Sequence, residues 1–401
     1  MSDGWKTALL SELCDLKPPK GLARSMLEDD DNVSFVPMSD LGELEKRFEV
    51  KEVRRFKDVV NGYTYFGDGD VLCAKITPCF ENGKLGVATG LANGVGFGSS
   101  EFVVMRSKGD LIPDYLFYYL SRDEFRKTGE RVMSGAVGHK RVPRDFFEDL
   151  EVPLPPLDEQ KRIVAKLDQA FAALNRARAN AEANQADADS LQVSMVENQF
   201  ADRENWSKEP LGARVRFIDY RGRTPEKAES GVLLLTAKNV RMGYIRAEPR
   251  EFIAEEAYAS WMTRGIPRRG DVLFTTEAPL ANVAQVETDE PIALAQRLIA
   301  MQSPAGKIDS RFLKWSLMSP QMQSDIKQKG TGATVTGIKA QLLKVVPLYT
   351  PNLRRQQQIA DACESAFLAC AMLRNKIEMK LADMAALRQS LLQAAFSGQL
   401  S

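Results

Sequence analysis

The sequence predicts an α+β protein built as an internal pseudo-twofold duplication, with two globular α/β domains separated by two long antiparallel coiled-coil helices. Three observations support this prediction. The chain of 401 residues is longer than one ordinary hydrophobic core requires. Short motifs recur in the same order in its two halves, and a long stretch without proline or glycine follows each globular segment.

The repeated motifs divide the chain into equivalent parts. The run Gly69-Asp70-Val71-Leu72 recurs as Gly270-Asp271-Val272-Leu273, at an offset of 201 residues. The pattern P-x-L-x-x-Q-x-x-I at 155–163 recurs at 351–359, at an offset of 196 residues. Because several short matches share one order and nearly one offset, the sequence indicates duplication rather than chance similarity.

The first domain is expected at residues 1–157 and the second at residues 201–353. Both are rich in glycine and turn signals around short apolar runs typical of strands, such as 71–72, 102–105, 232–235 and 298–301. A short amphipathic helix is expected at 113–128 in the first domain and at 309–329 in the second. Strands and helices in this mixture predict an α+β domain in each half.

A long helix is expected after each domain, at 158–200 and at 354–401. In both stretches apolar residues alternate at 3-4 spacing over several heptads, which indicates a coiled coil. A helix of 43 residues is about 64 Å long. We expect the two helices to pack on each other, through a seam formed by Ile163, Leu167, Leu174, Leu191, Ile359, Leu373, Ile377 and Leu387. Asn184 and Lys380 interrupt this seam, either as a buried pin of the helix register or because the seam is locally solvated.

Composition restricts the class of protein. No stretch approaches the roughly 20 apolar residues of a membrane helix, and the five cysteines contain no C-x-x-C pair, so reduced thiols and a cytoplasmic location are expected. The 54 basic and 54 acidic residues cancel overall. Residues 1–204 carry 27 basic and 35 acidic side chains, however, so the first half is negative and the second half equally positive. The sequence therefore excludes only a strongly basic, unselective DNA-binding protein.

Motifs for catalysis are absent from the sequence. His139 is the only histidine, which excludes histidine-based triads and sites with several histidine ligands. No phosphate-binding loop of the G-x-x-x-x-G-K-[ST] type occurs. We therefore expect no catalytic residue, no metal and no cofactor.

Basic, amide and aromatic residues lie in loops at corresponding places of the two domains. Arginine and lysine can pair with guanine or phosphate, and asparagine with adenine. Solvated surface charge is the alternative interpretation of each single residue. The predicted DNA-binding residues are Tyr63, Lys75, Asn82, Lys84, His139, Lys140 and Arg141 in the first domain, and Arg221, Arg223, Lys238, Asn239, Arg241, Lys329, Thr331 and Thr334 in the second.

Three segments resemble one protein family, the specificity subunits of type I restriction–modification enzymes. These segments are 138–168, which ends in LEVPLPPLDEQKRIVAKLD, then KITPCFENGK at 75–84, and SLLQAAFSGQL at 390–400. The resemblance covers the whole chain, including the duplication. The second copy departs from the family pattern, because PLYTPNLRRQQQIA lacks the Glu-Gln pair of the first.

The resemblance implies a non-catalytic subunit with two target recognition domains, each reading one half of a bipartite site in double-stranded DNA. The helices would set the spacing and dock two methyltransferase subunits, and restriction subunits would complete an adenine methyltransferase and endonuclease for host defence. Half-sites read from one face of the duplex would lie about 34–36 Å apart. The alternative from the residues alone is a duplicated adaptor that binds protein or glycan and has no role with nucleic acid.

Overall fold

The chain divides into two compact units. The computed structural model describes residues 5–136, 138–220, 224–304, 306–331 and 336–400. Unit 1 comprises Met1–Ala181 and Met379–Ser401, and unit 2 comprises Glu182–Glu378. Both boundaries fall inside long helices, so each unit contains one globular segment and a part of each long helix. The predicted fold class, α+β with internal duplication and two long helices, is confirmed.

Unit 1 contains short strands that form two four-stranded sheets and one strand pair. The strands are β1 (Lys6–Leu9), β2 (Cys14–Asp15), β3 (Asn32–Val36), β4 (Glu52–Arg55), β5 (Thr64–Gly67), β6 (Val71–Ala74), β7 (Leu85–Val87), β8 (Val95–Gly98), β9 (Phe102–Ser107) and β10 (Glu151–Leu154). The sheets have the orders β2-β9-β6-β7 and β4-β3-β8-β5, and β1 pairs with β10. The strands β3 and β8 are parallel, whereas the other neighbours are antiparallel.

The helices of unit 1 pack against both sheets, and the last of them is the long helix. They are α1 (Leu10–Leu13), α2 (Gly21–Met26), α3 (Phe56–Val59), α4 (Pro113–Leu120), α5 (Asp123–Val132), α6 (Arg144–Glu148) and α7 (Leu157–Gln199). Tyr115 and Phe117 of α4 are fully buried and share one core with Ile163 and Leu167 of α7. The globular segment is therefore fastened to the long helix by its main hydrophobic core.

Unit 2 repeats this arrangement. Its strands are β11 (Ser207–Pro210), β12 (Arg216–Asp219), β13 (Val232–Leu235), β14 (Phe252–Ile253), β15 (Val272–Thr275), β16 (Val283–Gln285), β17 (Ile292–Leu294), β18 (Leu298–Gln302) and β19 (Pro347–Thr350). Its helices are α8 (Leu211–Arg214), α9 (Glu255–Trp261), α10 (Ser310–Met318), α11 (Pro320–Gln328), α12 (Ala340–Lys344) and α13 (Leu353–Phe396). The sheet orders are β12-β18-β15-β16 and β14-β13-β17, and β11 pairs with β19.

The second sheet of unit 2 has three strands where unit 1 has four. At the offset of 201, β5 corresponds to residues 265–268, in which Pro267 stands where β5 has Phe66. Proline lacks the N–H that a ladder requires and is therefore unfavourable inside a strand. No strand occurs there among the residues that the structure describes.

The amphipathic helix predicted at 113–128 in unit 1, and at 309–329 in unit 2, is two helices in each unit. In unit 1 the break lies at Ser121, whose buried hydroxyl donates to the carbonyl of Phe117 at 2.7 Å. In unit 2 it lies at Ser319, whose hydroxyl donates to the carbonyl of Ser316 at 2.7 Å, and Pro320 follows. Serine side chains compete for backbone groups, and proline cannot donate within a helix, so both sequences end the first helix there.

A buried glutamine fixes the start of each long helix. The side chain of Gln160 accepts from the amide of Ile112 at 2.8 Å and donates to the carbonyls of Asp110 and Pro155. In unit 2, Gln356 accepts from the amide of Asp309 at 2.9 Å and donates to the carbonyl of Pro351. The glutamine of the repeated P-x-L-x-x-Q-x-x-I motif therefore joins the helix to the loop before α4 or α10.

Within unit 1 the parts of α7 and α13 run antiparallel. Lys166 donates to the carbonyl of Leu400 at 2.8 Å, and the guanidinium of Arg388 lies 4.3 Å from the ring centre of Phe171. Within unit 2, Arg374 of α13 forms an ion pair with Asp189 of α7 at 2.7 Å. Each unit therefore contains its own helix–helix contact.

The buried residues of each helix keep the predicted 3-4 spacing at most positions. They comprise Gln160, Ile163, Leu167, Phe171, Ala181, Ala188 and Val196 in α7, and Gln356, Ile359, Ala360, Cys363, Ala366, Cys370, Ile377, Leu392, Ala395 and Phe396 in α13. The buried positions 356, 359, 363, 366, 370 and 377 follow the heptad pattern. Phe171, Val196 and Leu392 each lie one residue after a predicted position.

Three of the predicted seam residues lie outside this buried line. Leu191, Leu373 and Leu387 are exposed by 52%, 42% and 48%. Asn184 and Lys380 are also exposed, which agrees with the solvated alternative rather than a buried register pin. Ile163, Leu167, Ile359 and Ile377 are buried, and Leu174 is half-buried.

Candidate nucleic-acid interface

A basic cleft of about 800 Å³ opens in unit 1. Residues of β5, of β9 and of the segment before α6 line it, together with the turn at residues 16–20. Its charged lining residues are Lys17, Lys20, Lys75, Arg141 and Arg144, and no carboxylate lines it among the described residues of the unit. A concave surface that combines cations with aromatic and apolar walls suits a phosphate backbone with adjacent bases.

The cations of the cleft influence one another. The ammonium of Lys20 donates to the carbonyl of Val60 at 2.7 Å. Burial lowers the pKa of Lys20, and the neighbouring charges of Arg24 and Lys17 lower it further. A bound phosphate would relieve this repulsion, because it would bring a negative charge among the cations.

Arg141 stands at the rim of the cleft and is held by Glu101. Its Nε and one Nη atom donate to the two carboxylate oxygens at 2.9 and 2.8 Å. The hydrogen bond from Arg141 lowers the pKa of Glu101. Since about half of the Arg141 side chain is exposed, the guanidinium is oriented by the carboxylate but accessible to a ligand.

The backbone beneath this pair links three segments. The amide of Lys75 donates to the carbonyl of Glu101 at 3.0 Å, and the amide of Val142 donates to the carbonyl of Lys75 at 2.8 Å. His139 and Lys140 are exposed on the same loop, and the carbonyl of Lys140 accepts from the amide of Thr77. The main chain therefore brings Lys75 next to the loop of His139, Lys140 and Arg141.

Tyr63 also lines the cleft. Its half-buried ring meets Phe35 edge to face, with ring centres 4.8 Å apart, and the guanidinium of Arg54 lies 5.7 Å from its centre. This packing fixes the ring while one part of it borders the cleft.

Two other predicted residues of unit 1 have structural partners instead. Lys84 donates to the carbonyls of Met38 at 3.0 Å and Leu41 at 2.8 Å, so it stabilises the loop that follows β3. Asn82 is exposed, donates to Glu43 at 3.2 Å and does not line the cleft. The prediction that Lys84 contacts DNA therefore does not fit its position, because its donors are used within the loop.

Asn239 is the clearest correction in unit 2. It is 1% exposed. Its carbonyl oxygen accepts from the amide and the hydroxyl of Thr236, and its amide donates to the carbonyls of Arg246 and Pro249. All its hydrogen-bonding capacity is used inside one loop, so it cannot read adenine.

The other predicted residues of unit 2 are more open. Lys238 is exposed and lies 3.9 Å from the carboxylate of Glu251, and Arg241 is partly buried and donates to a backbone carbonyl. Lys329 and Thr331 are exposed at the end of α11, where Thr331 pairs with Gly337. Arg221, Arg223 and Thr334 lie outside the described residues.

Unit 2 repeats the backbone arrangement beneath Arg141. The amide of Thr276 donates to the carbonyl of Arg297 at 3.0 Å, and the amide of Ile338 donates to the carbonyl of Thr276 at 2.9 Å. Arg297 occupies the position of Glu101 and forms an ion pair with Glu277 at 2.9 Å. Gly337 takes the position of Arg141. An Arg–Glu pair is therefore present at the same place in both units, but in unit 2 the arginine occupies the position of Glu101 and Glu277 is its partner.

Sequence reasoning missed five of these residues. Lys17 and Lys20 bracket a Pro-Pro turn, and a basic pair around a rigid turn was the available signal. Arg144 begins α6. Glu101 and Arg297 precede strands and carry no motif, so only the fold identifies them.

The long helices expose apolar side chains beyond the globular segments. Leu368, Met372 and Met379 of α13 are each more than 60% exposed, and Val193 of α7 is 52% exposed. Among the described residues, no helix has the length and apolar character required to cross a membrane.

The comparisons with known proteins agree on one family. Residues 2–185 match the family model described as "Type I restriction modification DNA specificity domain". The EcoAI and EcoEI type I restriction enzyme specificity subunits of Escherichia coli are 34% and 33% identical over 215 residues. Each match covers 52% of this chain and 36% of the relative, so the chain spans about a third of the length of these relatives.

The fold is also that of a solved structure. A chain from work on complex assembly and conformational transition of the type I R-M system superposes with a TM-score of 0.81 and 19% identity, covering 100% of this chain and 99% of that chain. At this identity the likeness concerns the fold alone. The family model over residues 2–185 and the curated relatives together support a specificity subunit of type I restriction–modification enzymes.

Proposed function

We propose that this specificity subunit recognises a bipartite DNA sequence, with residues 1–157 and residues 201–353 each reading one half of the site. The basic cleft of unit 1 carries this proposal. Five cations, one of them the oriented guanidinium of Arg141, converge there with an aromatic wall, and such groups bind phosphates and base edges. The duplication supports a second reading surface in unit 2.

The helices at 158–200 and 354–401 act in this proposal as a spacer between the two half-sites. An α-helix has a fixed rise per residue, so its length sets a distance that does not depend on the bases read. The exposed apolar residues Leu368, Met372 and Met379 support docking of methyltransferase subunits on α13. Two such subunits, joined by restriction subunits, would make the complex an adenine methyltransferase and endonuclease, while this chain contributes no catalytic group. A DNA ligand of this kind agrees with a cytoplasmic location.

The test measures binding of randomised duplex DNA as a function of salt, with the full chain and its methyltransferase subunit. Replacing Lys17, Lys20 and Lys75 together by alanine should weaken binding and reduce the salt slope by about 0.9 for each phosphate that the variant no longer neutralises. The matched control replaces Lys51, Lys57 and Lys127, which are exposed and do not line the cleft.

The control should leave the slope unchanged. Absence of DNA binding at every salt concentration would contradict the proposal and favour an adaptor for another ligand. Equal losses in both triple variants would contradict the role of the cleft.

A further inference from the structure

Each unit holds one partly exposed Arg–Glu pair on the same backbone arrangement. In unit 1 the pair is Arg141 with Glu101, exposed by 48% and 21%. In unit 2 it is Arg297 with Glu277, exposed by 49% and 43%. The position that carries an acid in unit 1 carries a base in unit 2, although the hydrogen bonds of the main chain beneath it are the same.

The fold itself does not account for these pairs. Ion pairs that are this exposed contribute little to stability. The segments are already joined by main-chain hydrogen bonds, such as that from Lys75 to Glu101 and that from Thr276 to Arg297. Gly337, which takes the position of Arg141, pairs with Thr331 and Glu277 through its main chain and has no side chain to contribute. The side chains are therefore free to serve recognition.

The two side chains of each Arg–Glu ion pair suit the two bases of one G·C base pair. Arginine donates two parallel hydrogen bonds to guanine, and glutamate accepts from the amino group of cytosine. A guanidinium that a carboxylate already orients loses less conformational freedom on binding. Arg141 also borders the basic cleft, where a DNA backbone would be held.

We propose that Arg141 with Glu101, and Arg297 with Glu277, each read a G·C base pair, one in each half of the DNA site. This inference rests on the proposed function. Arg141 lies in the loop before α6, whereas Arg297 lies directly before β18. The guanine is therefore expected at different positions in the two half-sites.

The experiment selects randomised duplex DNA with the full chain and its methyltransferase subunit, and sequences the retained DNA. Arg141→Gln should reduce the preference for guanine at one position of one half-site by about tenfold to a hundredfold, and leave the other half-site unchanged. Arg297→Gln should do the same in the other half-site. Two controls, Arg55→Gln and Arg269→Gln, remove ion pairs with Asp30 and Asp289 that are more exposed, and should change neither half-site.

The double substitution Glu101→Arg with Arg141→Glu distinguishes a role in reading a base from a role in stabilising the loop. It keeps the ion pair, with the polarity found in unit 2. If the pair only fastened the loop, this variant would recover the wild-type preference, which would overturn the inference. A changed preference at the same position supports it, and this variant decides the matter if Arg141→Gln does not fold.

Two further outcomes are distinguishable. Wild-type preferences that persist at every position in both Arg→Gln variants, or that fall uniformly across all sequences, overturn the base-reading role and leave the proposed function intact. A wild-type complex that retains no DNA at any salt concentration overturns the proposed function, and this inference with it.

Discussion

The repeated Gly-Asp-Val-Leu motif allows one substitution to be compared at two equivalent sites. Asp70 is 1% exposed and its carboxylate accepts from Arg106 through Nε at 2.8 Å and Nη2 at 2.7 Å. Asp271 is 8% exposed, but its partner is the neutral side chain of Gln302, at 2.7 Å. The carboxylates also accept from the amides of Gly67 and Arg268.

We expect Asp70→Asn to destabilise unit 1 by about 2–4 kcal/mol. Loss of one partner of a buried ion pair costs about 3–5 kcal/mol, and the lower range applies because a quarter of the Arg106 side chain is exposed to water. The new amide also presents a donor to the guanidinium, whose pKa in the wild type is raised by its hydrogen bond with Asp70.

We expect Asp271→Asn to change the stability of unit 2 by less than about 1 kcal/mol. Both hydrogen bonds of Asp271 reach one carboxylate oxygen, and the asparagine carbonyl can accept both. Burial raises the pKa of Asp271, so its ionised form is less favourable in the folded protein. The substitution removes that charge, which offsets any loss in hydrogen-bond strength.

The raised pKa also predicts the dependence on pH. A raised folded pKa means that the folded state binds the proton more tightly than the unfolded state does. The penalty from Asp271 is therefore present above its folded pKa and disappears as pH falls through that pKa toward the ordinary value of 3.8. The difference in unfolding free energy between the wild type and Asp271→Asn should shrink or change sign over this range.

Hydrogen exchange in urea, read by mass spectrometry on peptides that contain β6 or β15, measures each unit separately. The unchanged unit is an internal control. Arg106→Gln is a further control, because it gives unit 1 the partner that unit 2 already has, and it should cost less than Asp70→Asn. Equal losses at the two sites, or a loss below about 1 kcal/mol for Asp70→Asn, would refute this reasoning.

Three other predictions follow from the structure. Gln356→Ala should lower the unfolding free energy of unit 2 by about 1–3 kcal/mol, measured by urea titration, because two partly buried backbone groups lose their hydrogen bonds to the buried Gln356 side chain. Burial raises the pKa of Cys363 to about 12. A thiol reagent at pH 8 should therefore label the partly exposed Cys79 before Cys363, as measured by mass spectrometry. Rapid labelling of Cys363 would contradict its burial. Exchanging residues 201–353 for the second domain of another family member should change one half of the methylated sequence, and a change in both halves would contradict modular recognition.

The duplication could be predicted because its signals are local in sequence. The motifs at 69–72 and 270–273 each consist of a turn glycine and aspartate followed by the first two residues of a buried strand, β6 or β15. The repeated glutamines, Gln160 and Gln356, could be seen but not interpreted. Their role depends on carbonyl and amide groups of a loop almost 50 residues earlier in the chain.

The helix contact shows a different limit. Apolar spacing marks the positions that a neighbouring element can cover, but not which of them it covers. Ile163 and Leu167 are buried because they share the core of unit 1 with Tyr115 of α4. Leu373 is exposed although it lies between the buried residues Cys370 and Ile377, so its exposure does not follow from the helix period.

Residue type alone misassigned Lys84 and Asn239 for one physical reason. Lysine and asparagine bind nucleic acid with the same donors and acceptors that they use to satisfy a loop. Folding decides which partner is present: three carbonyls converge on Lys84, and Asn239 closes its loop with four hydrogen bonds. The residues that stay accessible, Arg141 and Arg297, are those whose main chain is paired without the help of their side chains.

The two units differ in their charged side chains at positions where their main-chain hydrogen bonds are the same. Asp70 and Asp271 keep one motif but have a charged and a neutral partner, and Glu101 and Arg297 share a position with opposite charge. The main-chain hydrogen bonds beneath Glu101 and Arg297 hold the segments without these exposed side chains, so this position tolerates the exchange. Divergence at the exposed pairs can then alter recognition in one half without disturbing the other, which is the requirement for an asymmetric bipartite target.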